Sequence, residues 1–92
     1  MELIEKLKGE INECTWQLLD KNLERGAVFL VDQKVPLIEA ALSVVKDQKS
    51  IIAAWIDAKM LTRIEKTDED KYIKNSFYFI IAQPYVLVQL KQ

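Results

Sequence analysis

The chain has 92 residues, half of them apolar, with thirteen cations against fourteen anions. This is the composition of one small globular domain over residues 1–92, too apolar for disorder and too short for a second core. A formal net charge of −1, with both signs mixed along the chain, excludes the cationic footprint that nucleic acid or an anionic membrane demands.

The first segment places Leu3, Ile4, Leu7, Ile11, Cys14 and Leu18 at steps of three and four, the stripe of an amphipathic helix. Trp16, Leu19 and Leu23 form a second stripe out of phase with it, so the spacing predicts either one helix ending and another starting near Thr15, a candidate N-cap, or a single bent helix. Gly26 after Arg25 reads as a helix stop. Ala27–Val31 is wholly apolar and reads as a strand. Pro36 suits the first turn of a helix to about Lys46, with Leu37, Ile38, Ala41, Leu42 and Val45 on its inner face.

After Asp47–Ser50, a further helix carries Ile51, Ile52, Trp55 and Ile56 on its apolar face and runs to about Lys59 or Met60. Leu61–Lys66 mixes apolar and polar residues as a half-exposed strand does. Thr67 followed by Asp68, Glu69 and Asp70 has the pattern of a capped helix start. The chain closes on Phe77–Leu90, its most apolar run, rich in β-branched and aromatic residues. Pro84 cannot donate to a ladder. The run is therefore either an edge strand with the proline outward or two strands split at Gln83-Pro84.

These elements add up to an α+β fold: a small, mainly antiparallel sheet of about three strands with helices on one face. Helix, strand, two helices, strand, strand is also the order of a winged helix, whose reading helix would be Asp47–Lys59. The charges on that helix, Asp47, Lys49, Asp57 and Lys59, cancel, whereas groove binding draws most of its affinity from cations against phosphate. Nucleic acid is a disfavoured partner on that ground.

No constellation in the chain has the specificity of a catalytic or cofactor motif. Histidine is absent, which removes the commonest general base and most zinc sites. Gly9 and Gly26 alone cannot build a phosphate-binding loop. Cys14, the single cysteine, lies on an apolar stripe and reads as a small buried hydrophobe; it fits a reducing cytoplasm and forbids an internal disulfide. Asp68, Glu69 and Asp70 are consecutive on a helix and point apart, so the acids read as a helix start rather than a cation site. Trp16 and Trp55 sit among aliphatics at helical spacing, the pattern of core residues. A ligand site would have to draw on Tyr72, Tyr85, Arg63 and the acids. Met1–Lys6 lacks the basic start and apolar segment of a signal peptide, and no run reaches the ~18 apolar residues of a membrane span.

Ile80-Ile-Ala-Gln-Pro84-Tyr85-Val86-Leu87-Val88-Gln89 resembles the strongest mark of a family of small bacterial proteins catalogued as a domain of unknown function, an apolar strand leading into Ala-Pro-Trp-Val-Leu-Val-Gln. Trp16-Gln-Leu-Leu before Arg25-Gly26-Ala-Val-Phe, Leu37-Ile-Glu-Ala-Ala, and Asp47 preceding Trp55-Ile carry the similarity along nearly the whole chain. Tyr85 stands where the family has tryptophan. Lys59 stands where a glycine commonly ends the third helix, which implies a left-handed backbone at Lys59 or a different turn. The resemblance implies a compact cytoplasmic bacterial domain and supplies no activity, cofactor or catalytic residue.

The function these features favour is a non-enzymatic protein-interaction module that pairs with a copy of itself or an unidentified protein partner. The reason is that Phe77–Leu90 carries more apolar surface than one helix layer covers. A domain of this size has only roughly 5–10 kcal/mol of stability, which burial against a copy would supplement. The expected interface is the proline-flanked segment, with Gln83, Pro84, Tyr85, Leu87 and Gln89 as its residues and strand addition or sheet packing as its mode.

Overall fold

The computed structural model describes residues 5, 9–82 and 85–91. Its frame is a five-stranded mixed sheet of β1 (Asn12–Thr15), β2 (Val28–Val31), β3 (Leu61–Arg63), β4 (Ser76–Ala82) and β5 (Tyr85–Leu90), in the order β1-β4-β5-β2-β3. Among the described residues four α-helices join it: α1 (Asp20–Glu24), α2 (Leu37–Val45), α3 (Lys49–Asp57) and α4 (Glu69–Tyr72). The fold is α+β, as expected, but with five strands rather than about three. Three of its four strand pairings are antiparallel, as expected of a mainly antiparallel sheet, and one, β2 with β5, is parallel, which makes the sheet mixed. That pairing replaces the three-stranded arrangement on which winged-helix order rests.

The terminal run forms two strands. Ala82 pairs with Tyr85 and Phe77 with Leu90 in an antiparallel ladder. Gln83 and Pro84 lie outside the described residues. β5 is paired on both sides, by β4 and by β2, which is why Val86–Val88 is a continuous apolar run rather than an alternating one. A strand with both neighbours in place has no free ladder, so strand addition at β5 is excluded. The sheet edges are β1 and β3, four and three residues long.

The helices cover both faces of the sheet, not one. Ile80, Ala82 and Leu87 point to one side and meet α2 through Leu37, Ala40 and Ala41. Phe77, Val86 and Val88 point to the other and meet Trp16, Leu19 and Leu23 from the 3-10 turn Trp16–Leu19 and α1. Tyr72 of α4 completes that second layer, stacked on Trp16 with ring centroids 5.8 Å apart and edge-on to Phe77 at 6.1 Å. The excess apolar surface of the terminal run is therefore covered largely within the chain. That removes the original motive for self-association.

The predicted N-terminal helix is corrected at Cys14. Asn12–Thr15 is a strand pairing with Ser76–Phe79, and Cys14 lies opposite Phe77 in the core. Leu3, Ile4 and Leu7 fall outside the described residues. The predicted break at Thr15 is present: its backbone is extended where the 3-10 turn begins, although its side chain makes no capping bond.

Three helix ends close in the same way. At α1, the Gly26 N–H donates to the Leu23 carbonyl and the Ala27 N–H to the Asn22 carbonyl, the paired bonds of a left-handed C-terminal cap. The same two bonds recur after α2, from Asp47 and Gln48, and after α3, from Lys59 and Met60. Gly26 takes φ of 66° without steric cost. Asp47 and Lys59 take 55° and 60° with a Cβ in place. The left-handed reading of Lys59 is the one observed. At α4, the predicted Thr67 cap gives way to a capping box between Glu65 and Asp68, with Thr67 inside a 3-10 turn.

Candidate functional site

The predicted interface residues divide by where β5 places them. Leu87 is 1% exposed and belongs to the core, so it reaches no further than the floor of a groove beside Tyr85. Gln89 is half-buried and committed within the chain: its Nε2 donates to the carbonyls of Asp32 at 3.0 Å and Val35 at 2.7 Å. Gln33 answers by donating to the Leu90 carbonyl at 2.7 Å. Together these bonds fix the connection from β2 into α2. Tyr85 is the most exposed of the described three, 40% exposed, with its ring edge-on to Phe29 at 5.4 Å.

Tyr85 forms one wall of a groove of about 380 Å³. Phe29, Leu61 and Leu87 line it from the sheet, and Ile52, Ala53 and Ile56 line it from α3. Asp47 and Lys49 stand at the end where α3 begins. The α3 positions 49, 52, 53 and 56 are one helical stripe, which is why a single helix furnishes a whole wall. Sequence reasoning placed Ile56 on the apolar face of this helix. In the fold Ile56 is 48% exposed, and α3 has no fully buried residue at all.

The groove is apolar and open, not a polar-lined catalytic cleft. Tyr72 packs with the Trp16 cluster on the far face of the sheet from Tyr85, so the two tyrosines do not converge on one ligand. Arg63 pairs with Glu65 at 3.1 Å. Asp68 is taken up by its cap and by Lys71 at 3.6 Å. Burial raises the Cys14 thiol to about 11, so it stays protonated and unreactive near neutral pH. Trp16 is a core residue and Trp55 is half-buried against α2's cluster. Among the described residues no three His, Cys, Asp or Glu side chains converge as metal ligands. No helix among them is long and apolar enough to cross a membrane. On the opposite face Leu18 and Ile81 are exposed beside Phe79, at a smaller apolar pocket of about 260 Å³.

With this geometry in hand, the comparisons place the chain. It belongs to the family described as protein of unknown function (DUF2288), whose profile matches residues 2–90. Among solved structures it is similar to the NMR solution structure of PA1075 from Pseudomonas aeruginosa, with 25% identity and a TM-score of 0.86. The match covers 99% of this chain and 86% of that one. The search of curated proteins returned no match.

Proposed function

We propose that the protein is a non-enzymatic interaction module that self-associates through the groove between α3 and Tyr85. The observation that carries this reading is α3 itself, a nine-residue helix with Ile51, Ile56 and half of its apolar face left in water beside an open apolar groove. Helices in small domains earn their stability by burying that face. A soluble surface with a continuous apolar groove is characteristic of a docking site. The site differs from the one expected on β5: Tyr85 is retained, Leu87 and Gln89 are structural. A cytoplasmic location is supported by the single thiol, which is buried and unpaired.

Size-exclusion chromatography with light scattering, from low to high micromolar concentration, tests the reading. The expected result is a mass that rises toward a dimer, and a Tyr85→Ser variant that stays nearer the monomer mass. A monomer across the whole range, with a folded circular-dichroism spectrum, overturns it.

A further inference from the structure

We infer that the partner in this groove is a second copy of the chain, seated by antiparallel packing of α3 on α3 about a two-fold axis at Ala53; this rests on the self-association reading. The charges of α3 are the reason. Lys49 opens the helix and Asp57 closes it. Each sits at the end where the helix dipole disfavours it, since anions suit the first turn and cations the last. Within the helix no acid stands in the first turn and no base in the last; Asp47 and Lys59, of the favoured signs, stand just outside its two ends. Neither residue enters an ion pair among the described residues. A local choice that conflicts with its own helix marks a site shaped by something outside that helix.

An antiparallel copy resolves both conflicts at once. Two-fold symmetry makes the contact of residue i with j recur as j with i. Turning one α3 against another therefore brings Lys49 of each copy to Asp57 of its partner, two opposite-charge contacts from one pair of residues. The midpoint between positions 49 and 57 is 53, and Ala53 lies in the groove wall. A methyl side chain at the crossing lets two helix axes approach to about 8–10 Å. Ile52 and Ile56, on the same stripe, then fall on either side of the axis, where the partner's groove receives them.

The test is charge reversal read by sedimentation velocity at a fixed low ionic strength. Lys49→Asp and Asp57→Lys each set like charges against each other across the axis, and each is expected to weaken the dimer roughly tenfold or more. Both substitutions suit the helix dipole, so neither is expected to lower the Tm measured at a concentration where wild type and variants are all monomeric, which separates association from folding. An equimolar mixture of the two variants pairs four charges favourably and is expected to recover a heterodimer, seen by native mass spectrometry. If the wild-type dimer forms but the variants dimerise as well as it does and the mixture prefers no heterodimer, the α3 two-fold is overturned while self-association stands. A wild-type chain that never dimerises overturns both.

Discussion

Helices α2 and α3 are each nine residues long, follow one another with three residues between, and end in the same left-handed cap on a residue other than glycine. Yet α2 buries Leu37, Ala40, Ala41 and Ser43, and α3 buries nothing fully. The difference is position on the sheet. α2 crosses β4 and β5, whose neighbours extend to either side of it. α3 lies against α2 and β3, the three-residue strand at the sheet's margin, beyond which no further strand stands among the described residues. Apolar content alone does not set burial; what lies opposite the helix does.

Substitutions in the two helices put this contrast to the test. Leu37→Ala opens a cavity between α2 and the sheet and is expected to cost about 3 kcal/mol by urea denaturation. The same truncation at Ile56→Ala, measured at a concentration where the chain is monomeric, is expected to cost under about 1 kcal/mol. Equal losses would break the distinction between a buried helix and a half-exposed one.

Next in size is the clamp that positions α2. Gln89→Ala leaves the Val35 carbonyl without its side-chain donor and the Asp32 carbonyl with the Val35 N–H alone, and is expected to cost about 1–2 kcal/mol. Hydrogen exchange is expected to quicken at residues 32–35 and the start of α2, with α3 unaffected. A loss confined to β5 would show that the clamp serves the strand and not the helix.

The two caps give the smallest effects and the finest comparison. Lys59→Gly relieves a left-handed backbone that costs a side-chain-bearing residue roughly 1–2 kcal/mol, against the extra freedom glycine has when unfolded. The net expectation is a gain of about 0.5–1 kcal/mol. Asp47→Gly is expected to gain less, because aspartate tolerates this conformation better than lysine. Thermal melts of the two variants side by side read the order directly.

Much of this fold was legible because its determinants are local. Gly26 as a stop, Pro36 as a start, the apolar strand at Val28–Val31 and the helical stripe of α2 all follow from residue type and spacing. The left-handed backbone at Lys59 followed too, from its place in a motif where glycine is usual. What was misread depended on partners far along the chain. Ile11 and Cys14 sit at a spacing that suits a helix, and only the ladder from Asn12–Thr15 to β4, more than sixty residues away, makes that segment a strand. The parallel pairing of β2 with β5 likewise has no local signature.

The candidate site divides along the same line. The sequence by itself determined that α3 has an apolar stripe, that its charges cancel, and that the terminal run carries more apolar surface than one helix layer covers. Only the tertiary structure decided that Trp16, Leu19, Leu23 and Tyr72 supply the second cover, leaving β5 closed, and that α3 is the helix left half-wet. The one local clue to that outcome was Lys49 and Asp57 standing at the wrong ends of their helix. Periodicity fixes which side chains share a face; burial is fixed by the neighbours that long-range strand order brings to it.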